Sequence, residues 1–126
     1  MGNIANKYCD KIYLTDDNPR FENPKLIRDQ IKRKIKKKKY VEISSRADAI
    51  SKAVSELNSG DILIVAGKGH ENYQEYKKRL FFSDKLEIIK AIRKKNNLLS
   101  NSLKTNILTE TFSNKILNKR TLINSV

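Results

Sequence analysis

Asn18-Pro19-Arg20 and Gly67-Lys68-Gly69-His70-Glu71 are the stretches of this chain whose residue types could do chemistry. Each follows an apolar, strand-like run: Ile12-Tyr13-Leu14 before the first, Ile62-Leu63-Ile64-Val65 before the second. Pro19 fixes its own φ and drives Asn18 out of the helical region. An amide and a guanidinium on so stiff a loop can grip a carboxylate, because the planar Arg20 fork offers two parallel donors. In the second loop, Gly67 and Gly69 allow close backbone approach to a ligand. Glu71 can hold an ammonium or cap a helical turn. Two polar loops after two strands belong on one edge of a parallel sheet, where ligands bind in such folds.

Blander readings stand beside these. Asp16 and Asp17 can cap backbone groups in an ordinary Asp-Asn-Pro turn. The second loop is not a Walker A motif, since the leading glycine spacing and the Ser or Thr after the lysine are missing. His70, the one histidine, can serve as a base or as a structural hydrogen-bonding group. Cys9 is either a reactive thiol or a small residue near a strand start. The cations Lys32-Arg33-Lys34 and Lys36 to Lys39 suggest nucleic acid, or a solvated helix end where positive charge suits the macrodipole. No aromatic residues interleave with them as single-strand binders require.

The chain has 126 residues, enough for one small domain with a modest core. Lys and Arg number 27 against 14 acidic residues, a net charge of +13. Such a surplus usually points to an anionic partner. Here it is spread along the chain with abundant Lys, Asn and Ile, a pattern that AT-rich coding also produces. A single cysteine forms no internal disulfide, which suits a reducing compartment. No apolar run approaches the ~18 residues of a membrane span, and Met1 to Tyr8 lacks the apolar core of a signal peptide. A cytoplasmic location is the expectation.

The elements that must position the loops follow from periodicity. Residues 2–9 read as the tail of a helix and Lys11–Leu14 as a strand. Pro24 suits the first turn of a helix over Lys25–Lys36, with Leu26, Ile27, Ile31 and Ile35 as its apolar stripe. Tyr40–Ile43 is a strand. Ser44 or Ser45 caps a helix over Arg46–Asn58, whose apolar face is Ala49, Ile50, Ala53, Val54 and Leu57. Ile62–Val65 reads as a strand with both faces covered, and Arg79–Phe82 as a last strand. Ser83-Asp84 caps a helix over Lys85–Lys95 with Leu86, Ile89 and Ile92 inward. The order is α/β. From about Asn96 the composition turns to Asn, Ser, Thr and Lys.

Several motifs in series resemble a known family: Leu14-Thr15-Asp16-Asp17-Asn18-Pro19-Arg20 with Glu22 and Pro24, then Ser45-Arg46-Ala47-Asp48-Ala49-Ile50. Val65 to Glu71 with Tyr73-Gln74, then Phe82-Ser83-Asp84, continue the series. Together they resemble the C-terminal domain of the MurE-type Mur ligases over residues 1–95. The resemblance implies a Rossmann-like fold, a mostly parallel sheet flanked by helices. It implies an ATP- and Mg²⁺-dependent ligase that joins meso-diaminopimelate to UDP-MurNAc-L-Ala-D-Glu in peptidoglycan biosynthesis. By that resemblance Asn18, Arg20, Gly67 and Glu71 contact meso-diaminopimelate, Arg20 pairing with its extra carboxylate and Glu71 receiving its distal ammonium. Asp17, Pro19, Lys68, Gly69 and His70 support the two loops. No catalytic residue and no metal ligand is implied in this stretch.

The chain departs from the family pattern as well. The family's domain begins earlier, with a Gly-rich strand and an Asp-Arg-Asp loop, so the resemblance implies a sheet lacking its first strand. The nucleotide-binding parts of the family are not matched, which implies a fragment inactive unless joined to them. Ser45 stands where the family commonly has Asp. Residues 96–126 are expected as an extension, flexible or opening a following domain, and Ser100–Val126 faintly resembles the start of a MurF-type ligase. The alternative function is a small basic nucleic-acid-binding module. Titration with duplex DNA at several salt concentrations separates the two: a steep salt slope set by Lys32–Lys39 marks the module, and salt-independent indifference marks the ligase part.

Overall fold

Ile12 and Tyr13 point to opposite faces of strand β1 (Lys11–Thr15), and neither is exposed at all. A strand buried on both sides needs helices above and below it. The computed structural model, which describes residues 2–36, 39–106 and 120–125, supplies them. On one face Ile12 meets Ala5 of α1 (Gly2–Tyr8), Cys9, and Ile35 beyond α2 (Pro24–Lys32). On the other, Tyr13 packs with Ile50, Ala53 and Val54 of α3 (Arg46–Glu56). Ala91 of α4 (Asp84–Asn106) closes that cluster.

The main sheet is four-stranded and wholly parallel. Its order is β2 (Tyr40–Glu42), β1, β6 (Arg120–Ser125), β3 (Ile62–Ala66). A sheet short of one strand was the expectation. The place between β1 and β3 is taken by β6, from the stretch that sequence patterning left unassigned. The chain is thus α/β, as expected. Parallel pairing sets the C-terminal ends of β1 and β3 at one edge, so both polar loops leave from there.

Several boundaries differ from expectation for identifiable reasons. Helix α2 starts as read, with Asn23 capping Lys25 N at 2.9 Å and Pro24 in the first turn. It stops at Lys32, not Lys36. Beyond it Lys34 and Ile35 bond three residues back, at 2.9 and 3.0 Å, in a tighter turn. Helix α4 runs to Asn106, so the boundary expected at residue 95 falls inside it. Its inward residues are Ile88 and Ala91, whereas Leu86 and Ile92 are 42% and 44% exposed. A small Ala91 lets α4 lie close against Ala53 and Val54 of α3.

Arg79–Phe81 does form a strand, β5, but outside the main sheet. It pairs antiparallel with β4 (Tyr73–Glu75), which was not foreseen, through Tyr73↔Phe81, Gln74↔Leu80 and Glu75↔Arg79. Strand β3 was expected to be covered on both faces. Leu63 and Val65 do pack on the α3 side, but Ile62 and Ile64 stay about half exposed.

Two ion-pair systems hold α3 to its neighbours. Arg46, at the first turn of α3, is fully buried and grips Asp84, at the first turn of α4, with two bonds of 2.6 Å. The same guanidinium donates to Ala66 O at 3.3 Å, fixing the end of β3. Glu56 of α3 accepts from Lys11 and Tyr13 of β1 and pairs with Lys52 at 2.9 Å. Burial pushes the Glu56 carboxyl up, but these hydrogen bonds outweigh burial and hold it down to about 2.

An unfolded Glu56 takes its proton near 4.5 and the folded one only near 2. Its stabilising contribution is therefore complete above about pH 4.5 and drains away as pH falls toward 2. Urea midpoints measured across that window should fall with pH in the natural chain and fall less steeply in Glu56→Gln.

Candidate functional site

Lys68 is the centre of the loop edge. Its side chain is fully buried, an unusual place for an ammonium. Gly67, with φ of 118°, and Gly69, with φ of 58°, make this possible. Both angles favour glycine, and together they fold the loop so that Lys68 turns inward. The ammonium lies 2.9 Å from Asp17 Oδ1, as an ion pair off the ideal hydrogen-bond direction. It donates to Asn18 Oδ1 at 2.9 Å and stands 4.0 Å from Glu71 Oε2. It also lies over the Tyr73 ring, 5.6 Å from the centroid.

Asn18 closes the arrangement. Its Nδ2 donates to Glu71 Oε2 at 2.8 Å, joining the two loops directly. Its Oδ1 also accepts from Glu75 N at 2.9 Å, so the β4–β5 hairpin is tied in. Gln74, buried behind, donates to Asp16 O and Asp17 O at 3.4 and 3.3 Å. Tyr73 Oη donates to Glu71 Oε1 at 3.5 Å. Glu71 keeps about a third of its side chain in solvent. It can accept a further donor there.

Arg20 has the least comfortable backbone of the site. Its φ of 54° is the one left-handed value for a non-glycine among the described residues, a conformation that costs roughly 1 kcal/mol or more. Pro19, buried just before it, and the bond from Arg20 N to Glu75 O at 2.8 Å hold it there. The consequence is an outward guanidinium, 65% exposed, with Nε 3.5 Å from Glu75 Oε2. Arg79 reaches the same carboxylate at 3.4 Å while stacking on Tyr73 at 4.7 Å. Two guanidinium forks thus share one carboxylate at the surface, leaving donors for an incoming anion.

Asp16 is buried and serves the scaffold. It accepts from Arg28, which also bonds Glu42 at 2.8 Å, and from Tyr76 Oη at 3.1 Å. Burial, then the Asp16 charge, push the Tyr76 hydroxyl up to about 12, so it stays a donor.

The structure gathers Asp17, Asn18 and Glu71 around Lys68 and links Arg20 to them through Glu75. Gly67, Gly69 and His70 are exposed on the second loop. Sequence reasoning missed Glu75, Tyr76, Arg28 and Arg79, and gave Tyr73 and Gln74 as motif residues without a role. A signal existed for β4: Tyr73 and Glu75 alternate with Gln74, but three residues are too few for a period-2 pattern to stand out.

A phosphate-binding role does not fit the second loop, because its lysine is consumed internally. Among the described residues no group of three or more His, Cys, Asp and Glu side chains could hold a metal ion. Of the basic run, Lys32 pairs with Asp29 and Glu42, at 2.7 and 2.5 Å. Lys39 donates to Asn6 O and Cys9 O, at 2.8 and 3.2 Å. Lys37 and Lys38 lie outside the described residues. A groove of about 650 Å³ lies away from the loops, between α3 and α4 near Ser55 and Leu98. No helix of the described residues is long and apolar enough to cross a membrane.

Lys68→Met tests the centre directly. Removing one partner of a buried pair costs about 3–5 kcal/mol, here by stranding Asp17. Urea unfolding should show a loss of that size, while Lys78→Met on the surface should move the midpoint little.

Comparison with known proteins adds a further finding. The family model described as Mur ligase, glutamate ligase domain, matches residues 1–69. A UDP-N-acetylmuramoyl-L-alanyl-D-glutamate–2,6-diaminopimelate ligase of Rickettsia typhi is 57% identical over 74 residues, covering 59% of this chain and 15% of that protein. The ligase of the same name from Rickettsia rickettsii is 51% identical over 94 residues, 74% of this chain and 20% of that protein. That from Chlorobium phaeobacteroides is 46% identical over 97 residues, 76% of this chain and 19% of that protein. The chain spans a fifth or less of the length of these relatives.

Proposed function

This chain belongs to the Mur ligase family, within its glutamate ligase domain, and we propose that it presents meso-diaminopimelate for addition to UDP-MurNAc-L-Ala-D-Glu in peptidoglycan biosynthesis. One observation carries the reading: Asn18 joins Glu71 at 2.8 Å, with the exposed Arg20 fork alongside. A carboxylate able to take an ammonium and a guanidinium able to take a carboxylate then stand at one sheet edge. A diamino diacid carries both groups. The relatives' names state a 2,6-diaminopimelate ligase activity for those proteins, which supports the same substrate here.

In this reading Arg20 pairs with the carboxylate that lysine lacks, in the bidentate geometry its fork allows. Glu71 receives the distal ammonium, and Asn18, bonded to Glu71, also contacts the substrate. The Gly67 backbone lies against the ligand, where a side chain would stand in the way. Asp17, Pro19, Lys68, Gly69 and His70 shape the two loops. Lysine would leave the Arg20 guanidinium without its anion, which is the source of discrimination. A cytoplasmic setting goes with this function.

Mur ligases depend on ATP, which with Mg²⁺ supplies a phosphoryl group that activates the accepting carboxylate. The loops described here do not fit that nucleotide or a metal, and no step of this reading passes through either. The chain binds and orients an amino acid. Bond formation belongs to the parts of the relatives that it does not span.

Nuclear magnetic resonance titration of the chain with meso-diaminopimelate and with L-lysine tests the assignment. The diacid should bind more tightly by about 100-fold, the scale of a charge pair deprived of its partner. Arg20→Gly should erase that preference yet keep folding stability within about 1 kcal/mol, since glycine accepts the left-handed backbone. Equal affinity for both amino acids in the natural chain would sink the proposal.

A further inference from the structure

We propose that Glu75 stands in for a substrate carboxylate on Arg20 before the substrate arrives, and that Arg79 is the positioning residue that then takes Glu75 over. On the reading that Arg20 pairs with a carboxylate of a diamino diacid, on which this rests, an incoming anion must first displace the one already there.

Glu75 divides its two oxygens. Its Oε2 lies 3.5 Å from Arg20 Nε, and its Oε1 lies 3.4 Å from Arg79 Nε. Both separations exceed the roughly 2.7–2.9 Å of a charge-assisted hydrogen bond, so neither guanidinium holds the carboxylate in its two-donor fork. The two claims on it are unequal. Glu75 and Arg79 are partners across the β4–β5 ladder, and the Arg79 guanidinium rests 4.7 Å from the Tyr73 ring centroid. Arg20 comes from the other loop, and among the described residues no second carboxylate pairs with it. The hairpin can therefore keep Glu75 by itself, while Arg20 can release it.

Glu75 cannot leave the neighbourhood. Its N–H donates to Asn18 Oδ1 at 2.9 Å, and its carbonyl accepts from Arg20 N at 2.8 Å. A carboxylate tethered so near competes as a ligand of high effective concentration. Free anions meet that competition unaided. A diamino diacid held also by Glu71 through its ammonium has a second grip, and can displace Glu75 from Arg20. Without Arg79, Glu75 would have one guanidinium left and would close on it in the two-bond geometry. The substrate carboxylate would then have to break a tighter pair. Arg79 thus keeps Arg20 available, and Glu75 screens Arg20 from ordinary anions.

A double-mutant cycle read by nuclear magnetic resonance titration of the full chain with meso-diaminopimelate tests the inference. Arg79→Met should weaken the diacid by about 5-fold, the upper worth of an exposed ion pair, and leave the affinity for L-lysine unchanged. Arg79→Lys, which keeps a cation opposite Glu75, should restore most of the loss. In the Glu75→Gln background the same Arg79→Met change should do almost nothing, because no carboxylate remains to close on Arg20. An equal loss in both backgrounds overturns the proposal, since Arg79 would then act on the diacid directly. So does an undiminished diacid affinity in Arg79→Met, an outcome that leaves the diaminopimelate reading standing. Equal binding of diacid and lysine by the natural chain sinks that reading, and this inference with it.

Discussion

A single buried ammonium organises the loop edge of this protein. Lys68 has no solvent around its side chain, so its charge must be met by protein groups. It is met by Asp17, by Asn18 Oδ1 and, at longer range, by Glu71. Those partners lie on loops some fifty residues apart in sequence, and one cation makes them neighbours. Asn18 is fixed by accepting from Lys68 and Glu75, and its amide can then point only at Glu71. The lysine is thereby spent on geometry, and Arg20 and Glu71 are left to meet whatever arrives.

The framework beneath works by the same logic of paired burial. Arg46 joins the first turns of α3 and α4 to the last carbonyl of β3, where the second loop begins. Glu56 joins the far end of α3 to β1. Helix α3 is thus held at both ends against the strands that feed the site. Ion pairs of this kind contribute little net stability against well-packed apolar groups. Their directional bonds fix where the helix sits, and that is what a two-loop site requires.

Much of this was legible in the residues. Pro19 marks the turn in which Arg20 takes its left-handed backbone, and the glycines around Lys68, read for close approach to a ligand, carry positive φ values. Pro24 and the caps at Ser45 and Ser83 mark true helix starts, because a first-turn proline or a side-chain oxygen before an apolar period is a local signal. What was not legible depends on distant neighbours. The inward face of α4 turned from Leu86 and Ile92 to Ile88 and Ala91, since the packing of α3 selects among overlapping apolar stripes. The hairpin Tyr73–Phe81 was half seen, because its first strand is short and polar. Strand β6 was unseen, because a six-residue segment takes its conformation from the two strands beside it. The inward turn of Lys68 had no sequence signal, since lysine beside glycine is usually a surface residue.

The open flank of β3 carries a consequence for the bulk solution. Ile62 and Ile64 present half-bare apolar surface on one of the two edge strands of the main sheet. Such a rim invites stacking with a like molecule. A net charge of +13 opposes it, since two such molecules repel at long range. Counter-ions shorten that repulsion to about 8 Å at physiological ionic strength, while the attraction between isoleucines is untouched. Dispersal of this protein is thus an electrostatic condition, secured in dilute buffer and surrendered in brine.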